Sequence, residues 1–424
     1  MNERASDWTR GHYAIYRALL GAFLVVHFAS LLPWAAELFS AQGMLGDAQR
    51  SPLFGLLPSP FWLDDNPWMA TLLPLSGVAC GVAIACGRLD RAAAVAWALI
   101  LAWLHARNPL IANPSLPLLG WMLLLHAGVP RAAGGDIGWR LPRSLWLAHL
   151  AMLALCYSYS GWTKLQSPAW VAGDAVAMVL QNPLARDHLL RTLLLDWPGL
   201  LHAITLAILW VELLYAPLYL WPRLRALLWS TMLLAQCGFL LLLDFADLTI
   251  PMLLAHLLAF DPRWVQRWAR PQALTVLYDG ACAFCHGCVR IAATEGAQPL
   301  RVAALQSDYA RQHGFDVAGE SVIVIDANGQ VHRRAAAVAA VLRHCSGLYV
   351  LAGLLLGALP RGLADAGYDV VGRLRLRLAG RSDCPWIGGA AAARVQQLDR
   401  DDANPPNMPA AEGANPAATA LTAH

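Results

Sequence analysis

The sequence predicts a polytopic all-α membrane domain of about eight helices, followed by a small α/β domain. Three observations carry this reading. Of the 424 residues, 58% are hydrophobic and only 14% charged, with a mean hydropathy of +0.45, which is too apolar for an ordinary soluble protein. Apolar runs long enough to span a bilayer recur up to residue 262. After Pro271 the pattern changes to short β-type runs, glycine-containing turns and helical stretches. The domains follow as 1–262 (membrane), 272–387 (α/β) and a tail, 390–424, whose Ala, Pro, Asn and Gly composition with no apolar period predicts disorder.

The chain opens on a polar segment, Met1 to Arg17, and the apolar run behind it has no small-x-small cleavage site, so it is read as a retained helix. The apolar runs fall at 14–34, 67–87, 91–106, 109–129, 144–162, 198–220, 226–243 and 248–260. The third, fourth and last are short or interrupted by proline. Arginine placement gives the orientation. One set of segments carries Arg4, Arg10, Arg17, Arg88, Arg91, Arg131, Arg140, Arg143, Arg223, Arg225, Arg263, Arg267 and Arg270; the alternate set carries only Arg50, Arg107, Arg186, Arg191 and Lys164. By the positive-inside rule both termini face the cytoplasm of a bacterium, the protein is integral to its inner membrane, and Lys164 lies on the outer side. The net charge of +3 is scattered over the loops, so no nucleic-acid partner is expected.

Within the membrane domain one cation stands apart. Lys164 is the only lysine among 31 basic residues. Lysine, unlike arginine, can surrender its proton at an apolar boundary and act as a base. It follows the apolar run Leu145 to Cys156 and is flanked by Tyr157, Tyr159, Trp162 and Trp170, residue types that suit a membrane interface. Two readings stand: chemistry at the bilayer surface, or a snorkelling anchor. Glu212 is the span residue costliest to leave unpaired in hydrocarbon, and it should face the bundle interior. The lone histidines of the spans are read as packing or interfacial groups, and no His/Glu spacing there matches a metal site.

In the α/β domain, Leu274 to Tyr278 reads as a first strand, Asp279-Gly280 as a turn, and Cys282-Ala-Phe-Cys285 opens a helix that runs to about Thr294. Leu300 to Leu305 is a second strand. Ser321 to Ile325 and Gln330 to Arg333 form a hairpin across Asp326-Ala-Asn-Gly329, and Ala335 to Cys345 is helical. Leu348 to Leu359 is too short to span and should pack on the module. At a helix N-terminus, free N–H groups and the dipole favour thiolate on Cys282, and Cys285, one turn on, is within reach to close a disulfide. Dithiol exchange needs no cofactor. Cys288 extends the run to Cys-x-x-Cys-x-x-Cys, either as a buried helix residue or as a third redox partner; a metal or iron–sulfur site would require a fourth ligand from Cys345 or Cys384, and a non-enzymatic metal or redox sensor using Cys282, Cys285 and Cys288 is a further alternative.

Two resemblances bear on these residues. Tyr278-Asp-Gly-Ala-Cys-Ala-Phe-Cys285, with Pro360 to Tyr368 and Gly372-Arg-Leu-Arg375, resembles the DCC family of thiol-disulfide oxidoreductases. That resemblance implies a thioredoxin-like fold, with Asp279 as part of the motif, Cys282 as attacking thiol, Cys285 as resolving thiol, and a cytoplasmic thiol or disulfide protein as partner. Tyr157-Ser-Tyr-Ser-Gly-Trp-Thr-Lys-Leu165, Trp170, Gly173, Glu212 and Arg107-Asn-Pro109 resemble the HTTM family, which includes vitamin K-dependent gamma-carboxylases. That resemblance implies Lys164 as a base acting on a reduced quinone, with a quinone or membrane lipid as the ligand. A membrane domain that serves only as an anchor for the dithiol module is the alternative.

Overall fold

The computed structural model describes residues 5–131, 137–315, 322–380 and 389–398. The chain divides into two compact units, one made of Met1–Arg131 with Arg140–Asp261 and the other of Ala132–Trp139 with Pro262–His424.

The first unit is helical. Its longer helices are α1 (Arg10–Leu31), α2 (Pro67–Cys86), α3 (Asp90–Arg107), α4 (Leu116–Gly128), α5 (Arg143–Lys164), α6 (Pro198–Leu213), α7 (Pro222–Leu242) and α8 (Ala246–Ala259). Helix α1 begins at a reciprocal cap, in which Thr9 Oγ1 accepts the His12 N–H at 3.2 Å and His12 Nδ1 accepts the Thr9 N–H at 3.3 Å. The polar segment in front of it forms a strand, β1 (Ala5–Thr9), antiparallel to β2 (Arg140–Pro142), a pairing between residues over a hundred apart that local pattern does not reveal. Helices α1 and α2 approach closely because Gly21 faces the Ala85 backbone while Gly77 and Gly81 face Phe28 and Val25; a Cβ at any of the three would collide.

Among the described residues, three helices are long and apolar enough to cross a membrane: Arg10–Phe39, counted through the break after Leu31, Pro67–Cys86 and Pro222–Leu242. This points to membrane association. A fourth span results if Leu189–Leu195 and α6, bent by 97°, are taken as one. The number falls below eight for physical reasons. Helices α4 and α8 have 13 and 14 residues, too few to span alone. Helix α3 carries Asp90, Arg91 and Arg107, and α5 ends in the polar Tyr-Ser-Tyr-Ser and Thr-Lys pairs. The connection between α5 and α6 contains short helices, Pro168–Val171, Ala175–Gln181 and Leu189–Leu195.

The second unit is built on a five-stranded mixed sheet in the order β6-β5-β3-β4-β7, where β3 is Thr275–Tyr278, β4 Leu300–Ala304, β5 Ile323–Ile325, β6 Val331–Arg333 and β7 Val395–Gln397. Strand β3 is parallel to β4, and antiparallel to β5, which is antiparallel to β6. Central β3 is buried at every residue. Its alternation sends Val276 and Tyr278 into a core with Val289, Ala292, Leu300 and Val324, and Leu277 into a smaller one with Ala303, Leu305 and Ile323. The longer helices are α9 (Ala283–Glu295), α10 (Arg334–His344), α11 (Gly347–Ala358) and α12 (Arg361–Ala379). Helix α11 packs against α10, as its length and apolarity imply. Strand β7, parallel to β4, lies beyond residue 387, inside the stretch read as a tail; pairing with an existing edge orders a segment that has no apolar period of its own. The remainder of that tail, from 399 on, lies outside the described residues, as does Cys384.

Candidate functional site

In the second unit the turn after β3 delivers three side chains to one point. Asp279 Oδ1 accepts the Ala281 N–H at 3.1 Å, a local turn bond that aims the chain into α9. Cys282 is the N-cap of α9, and its Sγ accepts the Cys285 N–H at 3.3 Å. One orphan donor of the helix end is thereby directed at sulfur. The backbone of the turn is tied down by Gln306, whose Oε1 accepts the Gly280 N–H at 3.1 Å while its Nε2 donates to Asp279 Oδ1 at 3.0 Å, and by His286 Nε2, 2.9 Å from the Gly280 carbonyl.

Arg375, from α12, completes the cluster. Its Nη2 is 3.2 Å from Asp279 Oδ2 and its Nη1 is 3.4 Å from Cys285 Sγ. The expected cysteine pair is thus brought together with Asp279, but the two thiols differ in access: Cys282 is fully buried and Cys285 is half-buried. Burial pushes the Cys285 thiol up to about 12, the hydrogen bond with Cys282 adds to this, and Arg375 pulls the other way. A cavity of about 310 Å³ opens beside Cys285, with Cys288 and Cys345 also on its wall. Cys288 is exposed; Cys345 is buried, its thiol donates to the Val341 carbonyl at 3.3 Å, and burial pushes it up to about 12. Among the described residues no group of three or more His, Cys, Asp or Glu side chains is arranged to hold a metal ion. Arg375, Gln306 and His286 are the members that local pattern could not assign. Arg375 stands 90 positions from Cys285; the Gly372-Arg-Leu-Arg375 run resembles the DCC family, but the run by itself gives Arg375 no role.

The first unit has its own cluster. Lys164, in the last turn of α5, donates to Glu212 Oε2 of α6 and to Ser160 Oγ at 2.7 Å, and its Nζ lies 4.9 Å from the Trp170 ring centroid. Glu212 is buried, as the cost of an unpaired carboxylate requires. The two helices approach closely because Gly161 abuts the backbone of Glu212 and Leu213, where a Cβ would collide. Tyr157 joins a separate group: its hydroxyl is 3.3 Å from both His256 Nε2 and the Gln236 amide nitrogen. Tyr159 and Trp162 are exposed. Of the lone histidines, His149 Nε2 meets the Ala255 carbonyl at 2.9 Å and His126 Nδ1 meets Tyr13 Oη at 2.7 Å, and two face carboxylates, His27 at 2.6 Å from Asp247 and His126 Nε2 at 3.5 Å from Asp90.

A dithiol at the start of the first helix after the central strand of a mixed sheet defines a class, the thiol-disulfide exchange proteins. Residues 276–381 match the family model of the DCC1-like thiol-disulfide oxidoreductases, which supports a redox role and a thiol-disulfide oxidoreductase activity for the second unit. No curated protein and no solved structure matches the chain.

Proposed function

We propose that the protein is a membrane-integral thiol-disulfide oxidoreductase in which Cys282 and Cys285 cycle between dithiol and disulfide. The single observation that carries this is the sulfur cradle: Cys282 Sγ accepts a backbone N–H at the start of α9, while Cys285 Sγ contacts the Arg375 guanidinium. Either contact favours a sulfur anion, and exchange proceeds through thiolate. Four of the five strands, β4-β3-β5-β6 with β3 parallel to β4, have the order and directions of a thioredoxin-like core, which supports that fold. The helices of the first unit span the inner membrane of a bacterium with both termini cytoplasmic, a placement that rests on the arginine asymmetry and suits a cytoplasmic thiol or disulfide protein as partner. In redox buffers the purified protein should lose two alkylatable thiols in one step, with Cys282 and Cys285 joined in the mapped peptide. No such disulfide at any poise would sink the proposal.

A second reading is favoured by the Lys164–Glu212 pair. A lysine that passes its proton to the carboxylate it is hydrogen-bonded to is left as a neutral amine, so Lys164 serves as a base toward a reduced quinone or a lipid in the first unit, with Glu212 taking the ammonium proton. The motivation is the contact of Lys164 with Glu212, Ser160 and Trp170. A quinone or defined lipid that copurifies with the wild type and is lost from Lys164→Ala would support it; equal lipid content in both would reduce the first unit to an anchor.

A further inference from the structure

The cavity beside Cys285 has a volume of about 310 Å³, at the low end of the roughly 300–1,000 Å³ of small-molecule pockets. Its floor is the sheet, through Val276 and Leu300, and its sides are α9 and α10, through Val289 and Val341. All four are apolar, so the body of a polar tripeptide thiol would lose its water against them without replacement. One corner is polar: Cys285, Asp279 and Arg375 line it, and Arg375 Nε is buried with no hydrogen-bond partner. Cys282 does not line the cavity and is fully buried. Phe284, Ile291 and Val371, on α9 and α12, are exposed apolar residues on its lining.

We propose that this cavity is the substrate pocket of the dithiol, that it takes a small apolar thiol carrying a carbonyl or carboxylate near its sulfur, and that this sulfur pairs with Cys285 rather than Cys282. The inference rests on the dithiol function proposed above and names its substrate class. Access decides which sulfur of a disulfide is attacked, and the stability of the departing thiolate decides how fast it leaves. In the disulfide form, the substrate thiolate attacks Cys285 Sγ, the bond to Cys282 breaks, and Cys282 leaves as thiolate to accept the Cys285 N–H. A second substrate thiolate then attacks the substrate sulfur of the mixed disulfide, which releases the substrate disulfide; the Cys285 sulfur takes a proton from water. Two thiols have lost two electrons and the protein disulfide has gained them. Arg375 Nε supplies the free donor for the acceptor group, and the aliphatic floor holds the body.

The test uses the full-length protein in detergent, oxidised to the Cys282–Cys285 disulfide, with the rate of its reduction measured for 3-mercapto-3-phenylpropanoate and for glutathione at equal thiolate concentration. The apolar thiol should react at least tenfold faster. Val371→Trp, at an exposed position of the lining, should remove most of that advantage, and Val341→Phe should do the same from deeper in the cavity; if the deeper variant does not fold, the exposed one decides. With the disulfide of 3-mercapto-3-phenylpropanoate, Cys282→Ser should accumulate a mixed disulfide on Cys285, whereas Cys285→Ser should accumulate none on Cys282. Equal rates for the two thiols, or a mixed disulfide on Cys282, would overturn the inference while leaving the exchange function standing. A protein that forms no Cys282–Cys285 disulfide with any oxidant would remove both.

Discussion

The two units each place a cation against an acidic group, and they do so in opposite ways. In the first, Lys164 and Glu212 form a pair between two helices, both side chains largely buried, one charge answering one charge. In the second, the Arg375 guanidinium is shared between the Asp279 carboxylate and the Cys285 sulfur. A matched pair is closed: it holds two helices in register, and its energetic weight appears only when one partner is removed. A shared cation is open, because one of its partners can gain or lose charge. The first arrangement suits structure and proton transfer; the second suits a group whose chemistry is to become an anion.

The largest expected effect that would break this comparison is in the second unit: Cys282→Ser or Cys285→Ser should abolish the reversible two-thiol loss entirely, read by alkylation and mass spectrometry, with the first unit unaffected. Next comes the matched pair. Glu212→Ala leaves the Lys164 ammonium without its partner and should destabilise the first unit by about 3 kcal/mol, whereas the double change Lys164→Met with Glu212→Leu should come close to wild type. Thermal unfolding in detergent would read both, and a double variant as unstable as the single one would show that the pair does more than neutralise charge. A smaller effect is expected at the shared cation. Arg375→Leu removes the pull that opposes burial at Cys285, and alkylation of that thiol should slow about tenfold, the effect of one pKa unit. In the wild type the same alkylation rate should climb about tenfold per pH unit toward about 12, since only the thiolate reacts.

The smallest effect concerns the hairpin. Asp326 accepts the Asn328 and Gln330 N–H groups at 2.9 and 3.0 Å and contacts His332 Nε2 at 3.3 Å. Its desolvation, which would raise the carboxyl, is outweighed by these bonds, so the group sits below its usual 3.8. A depressed carboxyl stabilises the fold above its unfolded value, and that contribution is lost as pH falls through the lower folded value. Asp326→Ala should therefore cost about 1 kcal/mol near neutral pH, and nothing in strong acid, by denaturant unfolding.

How far the molecule was legible varies by element. Cys282 and Cys285 were readable because a strand, an Asp-Gly turn and a Cys-x-x-Cys lie consecutively, and local order suffices to put sulfur on a helix start. The β5–β6 hairpin was readable from its Asp-Ala-Asn-Gly turn. Glu212 was readable as inward-facing because hydrocarbon makes the outward choice expensive. Tyr159 and Trp162 were not separable from Trp170 by residue type, since all three suit an interface, yet only Trp170 comes back over Lys164. Strand β7 was read as tail because three residues, Val395–Gln397, carry no period that could announce a strand.

By itself the sequence determined that apolar helices come first and a dithiol-bearing module last, and that Lys164 and Glu212 are residues whose burial demands a partner. These follow from composition, periodicity and the solvation cost of single groups, which are properties of a segment and its neighbours. Only the tertiary structure decided that Lys164 answers Glu212 across 48 positions, that Arg375 reaches Cys285 across 90, and that of the two thiols the second, not the first, lies on the open cavity. Those are facts of distance between elements, and distance is set by how helices pack and strands pair rather than by the order of residues along the chain.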